Sequence, residues 1–411
     1  MVRLSSRART AWIVVAVVAA LVAVGSVAWY LTRPAPGPVD VQSSDEADPT
    51  PSGTTTPPEP LDPPADPLAG WTLEQKVGQL LMVGVDVGDP QQVSYDAVSE
   101  LHVGNVFLAG RTQAGVDPTA DLSASFTELV ADTTTHGAPM FVATDQEGGN
   151  VQVLRGPGFS DIPAAVDQAT ADPADLRDDA ATWGAELAAA GVNLNLAPVM
   201  DLVPEGTAAQ NPPIGYYGRQ YGSTPDSVTS HANAFSAGME SAGVDVTVKH
   251  FPGLGRVTAN TDTDAGVTDD VTTRDDPSVA VFASGIDAGA AFVMTSTAVY
   301  TQIDADRPAA FSPVVVDGML REDLGFDGVV ITDDVSAAAQ VQRWTPAQRA
   351  ILTIEAGGDM VLASADPGVV PQMADALVER ATTDPAFAAK VDTAVERVLA
   401  AKDRLGPAAQ E

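Results

Sequence analysis

Short apolar runs alternate with longer amphipathic stretches from Trp71 onward. Apolar runs of this length are typical of strands buried on both faces, and the alanine-rich amphipathic stretches are typical of helices packed against them. The runs predict eight strands, at residues 80–85, 103–108, 140–143, 192–198, 244–248, 291–295, 328–332 and 359–363. The clearest predicted helices cover residues 174–190, 225–242, 313–324 and 347–356.

Strands that alternate with helices predict an α/β fold, specifically a (β/α)8 TIM-type barrel over residues 71–411 with some enlarged loops. The alternative is an open, doubly wound sheet, but no Gly-rich dinucleotide fingerprint follows the first predicted strand. A barrel places its catalytic groups at the carboxyl ends of its strands.

The first 33 residues are predicted to be a cytoplasmic stub and a transmembrane segment. Three arginines in residues 1–9 precede an uncharged, largely apolar run over residues 10–32. About 20 such residues span a bilayer core, and the basic flank predicts a cytoplasmic N-terminus. We interpret the segment as a signal anchor; the alternative is a signal peptide cleaved after residues 26–28. Either way, we expect the body outside the cell, membrane-anchored or secreted.

Residues 34–70 contain eleven of the 31 prolines, mixed with Ser, Thr, Asp and Glu. Such a composition cannot bury enough apolar surface to fold, so the segment is predicted to be a disordered, extended linker between membrane and barrel.

The formal net charge of −34 excludes nucleic acid as a main partner, because so acidic a body repels phosphate backbones. The absence of cysteine excludes disulfides, thiolate metal sites and a Cys nucleophile, and only four histidines are present. We therefore expect no metal and no cofactor, and we expect a monomer.

Polar residues collect where the predicted strands end. Asp145 follows the third strand, Asp201 the fourth, Lys249-His250 the fifth and Asp333-Asp334 the seventh. A carboxylate that closes an apolar strand is costly for stability alone, because burial disfavours its charged form. Four such clusters at the same end of one barrel predict a site that acts on a ligand.

Four motifs carry a family resemblance: Asp-Gln-Glu-Gly-Gly at 145–149, Leu-Ala-Pro-Val-Met-Asp at 196–201, Lys-His-Phe-Pro-Gly at 249–253 and Ile-Thr-Asp-Asp at 331–334. In this order they resemble the single-barrel β-N-acetylglucosaminidases of glycoside hydrolase family 3, of the bacterial cell-wall recycling type. The resemblance covers residues 71 to about 405. It implies a retaining exo-enzyme that removes terminal β-linked N-acetylglucosamine from peptidoglycan-derived fragments.

The resemblance also implies residue roles. Asp333 matches the family's nucleophile, which forms a covalent glycosyl-enzyme. Asp145, Lys249 and His250 match residues that hold the hydroxyls of the non-reducing sugar, and Arg219 resembles the sugar-binding arginine. Asp201 is expected to orient its neighbours rather than to react.

The sequence departs from the family in the loop of residues 254–266. There the family usually carries Asp-Ser-His, whose histidine is the general acid/base, but Asn260-Thr261-Asp262 stands at that position and the loop has no histidine. Asp262 is the first candidate for the proton transfer and Asp264 the second, because a carboxyl beside Asp333 would have a raised pKa. The alternatives are a solvated acidic loop and a calcium-binding loop.

Two smaller expectations concern neighbouring loops. Asn150 and Val153 stand where arginine is common in the family, and Arg155 is close enough in sequence to bind substrate instead. Gly253, Gly255 and Gly266 are expected to let the 254–266 loop close over substrate.

An anionic carboxylate in place of histidine would repel phosphate, so hydrolysis is expected rather than phosphorolysis. The alternative functions are a β-glycosidase with another sugar preference, a non-catalytic cell-wall sugar-binding protein of the same fold, and a structural or interaction protein.

Overall fold

The structure of the protein, a computed structural model, describes residues 66–405. The predicted transmembrane segment (1–33) and residues 34–65 of the predicted linker lie outside the described residues. Within residues 66–405, no helix is both long enough and apolar enough to cross a membrane.

The centre of the fold is a sheet of eight parallel strands. The strands are β1 Leu81–Asp86, β2 Asn105–Ala109, β3 Phe141–Thr144, β4 Leu194–Asn195, β5 Asp245–Phe251, β6 Phe292–Thr295, β7 Val329–Thr332 and β8 Val361–Ala363. They pair in the order β7-β6-β5-β4-β3-β2-β1-β8. A bridge between Ile331 and Met360, just before β8, brings the two ends of the sheet together. The result is a nearly closed barrel that fits the TIM type.

All eight predicted strands are confirmed, with shifted boundaries. The largest difference is at β4, which was predicted over 192–198 but has only two residues in regular pairing. Pro198 has no N–H to donate, so the ladder is interrupted there. The chain nevertheless continues along β5, because Val199 bridges Lys249.

Ten α-helices surround the described barrel: α1 Leu73–Gln79, α2 Gln92–Ser99, α3 Val116–Thr127, α4 Ala165–Gln168, α5 Pro173–Ala189, α6 Pro225–Ser241, α7 Pro277–Asp287, α8 Pro346–Glu355, α9 Val370–Thr383 and α10 Pro385–Lys402. The predicted helix at 313–324 is a π-helical segment, Val314–Asp323. Several helices begin with a polar cap followed by proline, as at Asp172 before α5 and Thr224 before α6. Each cap side chain accepts a backbone N–H of the first turn that the helix leaves unpaired, and the proline at the first helical position has no N–H that needs a partner.

Two smaller sheets are formed by loops that follow the barrel strands. Gln146–Gly148 and Val151–Gln152 form a hairpin directly after β3. Thr268–Asp269, Val299–Tyr300 and Asp304–Pro308 form a separate three-stranded sheet.

The residues just before the predicted start of the barrel are also ordered. Residues 66–70, assigned above to the linker, form a hydrogen-bonded turn in which Ala69 N donates to Asp66 O at 3.1 Å. Leu68 is buried and belongs to the hydrophobic core. Residues 66–70, within the segment predicted to be linker, therefore pack against the body, which a single apolar residue among prolines did not indicate.

Candidate active site

A cavity of about 450 Å³ opens at the carboxyl ends of the strands. Its apolar lining includes Phe107, Met294 and Leu362. Its polar lining contains six of the seven predicted site residues: Asp145, Arg219, Lys249, His250, Asp262 and Asp333. Residues far apart in sequence thus meet at one place, because parallel strands end on the same face of a barrel.

Lys249 is held between two carboxylates. Its Nζ lies 2.6 Å from Asp145 Oδ1 and 2.6 Å from Glu147 Oε1. Glu147 also binds Arg219 in a two-pronged ion pair, with Nε to Oε2 at 2.8 Å and Nη2 to Oε1 at 2.7 Å. Four charged side chains therefore form one continuous network on one wall of the cavity, and this geometry fixes both cations.

The network favours the charged forms of Glu147 and Lys249. Burial alone would raise the pKa of Glu147, but the nearby Arg219 and Lys249 lower it to about 2. Burial would likewise lower the pKa of Lys249, but Asp145 and Glu147 raise it. Each charge is thus stabilised in a poorly hydrated place only by its partners.

Glu147 is the main residue that sequence reasoning left without a role. Its backbone carbonyl accepts from Gln168 Nε2 at 2.8 Å, and Gln168 Oε1 accepts from the buried hydroxyl of Tyr221 at 2.9 Å. The aromatic residue two positions after Arg219 therefore supports the carboxylate that Arg219 binds. Glu147 lies inside the Asp-Gln-Glu-Gly-Gly motif at 145–149, which pointed to the right segment. The spacing of residues in the sequence, however, does not reveal that Lys249 and Arg219 are its partners.

His250 is oriented by Asp201, as expected. The imidazole Nδ1 lies 2.7 Å from Asp201 Oδ2, and Asp201 Oδ1 accepts the backbone N–H of His250 and of Leu254. Asp201 is fully buried, so it has no access to a ligand. With Nδ1 bound to a carboxylate, Nε2 is the ring nitrogen left for a ligand in the cavity.

Asp333 and Asp334 follow β7 but have different surroundings. Asp333 Oδ1 accepts the backbone N–H of Asp334 at 2.8 Å. Burial raises the pKa of Asp333, while His250 and the Asp334 N–H act in the opposite direction. The carboxylate of Asp334 accepts from the Ser336 hydroxyl, Ala337 N and Ser364 N, so it holds the loop together.

Asp262 reaches the cavity on a loop that is fixed to the barrel. The carbonyls of Thr261 and Asp262 accept the backbone N–H groups of Gln340 and Ala339, at 3.1 and 3.0 Å. Gln340 also accepts from Val267 N through its side chain, at 2.8 Å. Two hydrogen bonds to the turn that follows β7 thus flank Asp262 and place it near Asp333.

The carboxyl group of Asp262 has an unusual proton affinity. The residue as a whole is exposed, but it lines the cavity and is partly desolvated there. This desolvation and the negative charge of Asp333 raise its pKa to about 6. Asp264 does not line the cavity and instead accepts a hydrogen bond from Thr263. The geometry thus favours Asp262 over Asp264.

Two expectations about these loops need correction. Gly255 does not provide freedom to close, since any Cβ there would collide with the carbonyl oxygen of Leu202. It is required for close packing. Arg155, predicted to bind substrate, is absent from the cavity lining: it pairs with Asp161 at 2.8 Å and donates to Gly149 O. The hairpin after β3 turns its side chain toward its own loop.

The calcium-loop alternative finds no support in the described part of the chain. Within residues 66–405, no group of three or more His, Cys, Asp and Glu side chains is arranged to hold a metal ion.

Comparison with known proteins covers nearly the whole barrel. A model of the glycosyl hydrolase family 3 N-terminal domain matches residues 72–401. A β-hexosaminidase of Stenotrophomonas maltophilia strain K279a is 32% identical over 294 residues, which are 69% of this chain and 82% of that protein.

Solved structures extend the similarity. The crystal structure of a β-N-acetylhexosaminidase from Beutenbergia cavernae DSM 12333 shows 65% identity and a TM-score of 0.81, covering 82% of this chain and 99% of that one. A glycoside hydrolase family 3 β-N-acetylglucosaminidase from Paenibacillus sp. strain FPU-7 shows 30% identity and a TM-score of 0.74, covering 83% and 64%.

Proposed function

The chain belongs to glycosyl hydrolase family 3, and from that premise we propose that it is a retaining exo-β-N-acetylglucosaminidase. Its substrates are terminal β-linked N-acetylglucosamine residues of peptidoglycan-derived fragments outside the membrane. The observation that carries the proposal is the pair formed by Asp333 and Asp262 in one cavity, where the charge of Asp333 raises the pKa of Asp262. Such a pair can share the roles of nucleophile and acid.

The first half-reaction uses the two carboxyl groups in different protonation states. Ionised Asp333 attacks the anomeric carbon while protonated Asp262 gives its proton to the departing glycosidic oxygen. The bond to the aglycone breaks, the aglycone leaves as an alcohol, and the sugar remains as an ester on Asp333.

The second half-reaction restores the enzyme. Asp262, now ionised, takes a proton from water, and the oxygen of that water attacks the anomeric carbon. The ester bond to Asp333 breaks and its carboxylate is released. Two displacements at the same carbon leave the sugar with its original β configuration.

The remaining polar groups of the cavity suit a polyol. Lys249, His250 and Arg219 supply donors and Asp145 supplies an acceptor. Lys249 is held by Asp145, Arg219 by Glu147 and His250 by Asp201, so these groups keep fixed positions. Fixed donors and acceptors favour one orientation of a neutral sugar, since their alignment costs little entropy on binding.

Water, rather than phosphate, is the proposed acceptor. An ionised Asp262 close to the reacting carbon would repel a phosphate anion, because water screens this repulsion less inside the cavity than in bulk solvent. We expect free N-acetylglucosamine as the main product even in phosphate buffer, measured by chromatography of the products. Mostly sugar 1-phosphate would contradict this.

An aryl β-N-acetylglucosaminide tests the central proposal. The full chain should release the phenol, and the Asp333→Asn variant should lose this activity by several orders of magnitude. If phenol is released only from an aryl glycoside of a different sugar, the enzyme has another sugar preference. Binding of N-acetylglucosamine without any turnover, unchanged in Asp333→Asn, would point to a sugar-binding protein.

The cellular setting rests on residues 1–33 and on the resemblance to cell-wall recycling enzymes. The proposed arrangement is a single-pass anchor with the barrel, as a monomer, outside the membrane. It predicts the intact protein in the membrane fraction, or in the medium if the signal is cleaved. Digests of peptidoglycan should yield N-acetylglucosamine when treated with the full chain but not with Asp333→Asn.

A further inference from the structure

Two exposed tyrosines lie in the short segment between Pro213 and Arg219, which both line the cavity. Tyr216 and Tyr217 are 66% and 46% exposed, and they are the only aromatic residues among the large exposed hydrophobic side chains of residues 66–405. Their ring centroids are 5.0 Å apart with an interplanar angle of 87°. Exposed neighbouring aromatic side chains have a cost in water, so such a pair suggests a ligand.

The turn that carries them is rigid. Gly215–Tyr217 is a 3-10 turn in which Tyr216 N donates to Asn211 O at 3.0 Å. The buried side-chain oxygen of Asn211 accepts Gly215 N at 2.7 Å. A Cβ at Gly215 would lie 2.6 Å from Ala208 Cα, which shows how closely the turn packs on the chain beneath it. The two rings are therefore presented on a fixed support.

The chain on both sides of this turn reaches the cavity. Pro213 and Arg219, which flank it in sequence, both line the cavity. Arg219 Nη1 donates to the carbonyl of Pro213 at 2.7 Å and closes the base of the turn. The tyrosines thus project from a segment whose two ends are already at the site.

The size of the cavity decides where the rest of a glycan would lie. A volume of about 450 Å³ is in the lower part of the range of small-molecule pockets, roughly 300–1,000 Å³. A site of this size suits one sugar unit with its substituents. In an exo-acting enzyme, the ring beyond the scissile bond must then rest outside the cavity, at its rim.

We propose that Tyr216 and Tyr217 form the contact surface for the sugar on the leaving side of the scissile bond. This inference rests on the proposed function and adds a specificity to it. A pyranose ring has an apolar C–H face, and a tyrosine ring offers a matching flat surface at low cost in conformational entropy. The pair selects glycan fragments over glycosides that carry a small aglycone.

The test compares two substrates that differ only in what leaves. N,N′-diacetylchitobiose has a second sugar ring in the leaving position, whereas methyl β-N-acetylglucosaminide has only a methyl group there. In the full chain, replacing both tyrosines with alanine should lower kcat/KM for the disaccharide by roughly 5- to 20-fold. The value for the methyl glycoside should stay within about twofold, since its aglycone does not reach the tyrosines.

Two controls separate stacking from other effects. The double Tyr→Phe variant keeps the rings and should keep the preference for the disaccharide. Val314→Ala removes another exposed hydrophobic side chain, on the π-helical segment. It should leave kcat/KM unchanged for both substrates.

Three outcomes would overturn the inference. Equal losses on both substrates would indicate general damage to the site, and no loss on either would show that the tyrosines do not contact the leaving sugar. A self-association lost in Tyr→Ala, with selectivity unchanged, would identify the surface as an interface between copies of this chain. If the parent protein cleaves neither substrate, the proposed function itself fails.

Discussion

In the proposed mechanism, Asp262 performs with a carboxyl group the task expected of an imidazole in other members of the family. A carboxyl with an ordinary pKa near 3.8 would be ionised at neutral pH and would have no proton to give. Desolvation and the charge of Asp333 raise that pKa to about 6. The neighbouring nucleophile therefore creates the acid that its own reaction requires.

Replacing Asp262 with Asn should affect substrates according to their leaving groups. The rate for a methyl glycoside, which needs a proton, should fall by roughly 100- to 10,000-fold. An aryl glycoside should still form the glycosyl-enzyme and then stall. Azide should restore turnover of the stalled glycosyl-enzyme, because this anion attacks the anomeric carbon without a general base and releases the Asp333 carboxylate. Product analysis by mass spectrometry should show β-glycosyl azide.

Asp264→Asn is the matched control on the same loop. Asp264 lies outside the cavity, so this variant should behave like the parent protein and should not respond to azide. Azide rescue in Asp264→Asn instead would assign the acid/base role to that residue.

The pH dependence follows from the same carboxyl group. Because Asp262 must be protonated in the first step, kcat/KM for the methyl glycoside should fall about tenfold per pH unit above pH 6. The Asp262→Asn variant should lack this alkaline limb, which a pH series would reveal. If the variant shows the same alkaline fall in kcat/KM, another titrating group causes that fall.

Single residues also show where sequence reasoning stops. Asp333, Lys249 and His250 could be predicted to lie together in one cavity because their motif positions and strand ends agree. Glu147 was missed because its work is done through Lys249 and Arg219, and only the folded chain brings these three together. Arg155 failed for the opposite reason: nearness in sequence did not translate into nearness in space.

At the scale of elements, two loops of the site share one buried side chain. The amide nitrogen of Asn211 donates to the carbonyls of Leu254 and Val257, at 2.8 and 2.9 Å, in the first part of the loop that carries Asp262. Its oxygen accepts from Gly215, in the turn before Arg219. Asn211 thus couples the position of the loop that carries Asp262 to that of the turn that precedes Arg219.

Replacing Asn211 with Ala should loosen both loops together. Leu254 O, Val257 O and Gly215 N would lose their partners in the interior, which costs roughly 2–3 kcal/mol of unfolding free energy. Because Asp262 would also be held less firmly, kcat for the methyl glycoside should fall more than kcat for the aryl glycoside. Urea unfolding and the two rates measure these effects.

Asn233→Ala is the control for a purely structural loss. Its amide joins α6 to α7 through the Ser284 hydroxyl at 3.0 Å, on the outer helices. We expect a lower stability and an unchanged ratio of the two rates. The same selective loss in Asn233→Ala would remove the case for a special role of Asn211.

The pattern of elements was largely predictable, and the reasons are physical. A strand buried on both faces must be apolar throughout, so runs such as β3 and β7 stand out from the amphipathic helices around them. The π-helical hydrogen bonding of Val314–Asp323 has no comparable signature, because its apolar spacing resembles that of an α-helix. Loop contacts such as those of Asn211 depend on tertiary structure alone.

At the scale of the whole described barrel, the two ends differ in structure. The carboxyl end holds paired charges around an open cavity, whereas the amino end is closed by α10. Lys402, the last residue of α10, is 1% exposed there. Its Nζ donates to Gln79 Oε1 at 2.6 Å and to Gly104 O at 2.9 Å, just before β1 and β2. Burial without a carboxylate partner lowers the pKa of Lys402 from 10.5 to about 7.

This lysine makes stability depend on pH at the end of the barrel remote from the chemistry. Between pH 7 and 10.5 the unfolded chain holds a proton at Lys402 that the folded chain has released, so Lys402 contributes stability that rises with pH across this window. Lys402→Met carries no such proton, although it leaves two acceptors unpaired at every pH. The unfolding free energy of the variant minus that of the parent should therefore be highest at pH 7. By pH 10 this difference should fall by several kcal/mol, because only the parent becomes more stable. Urea unfolding at pH 7, 8, 9 and 10 measures the difference, and parallel curves for the two proteins would show that Lys402 stays charged in the fold.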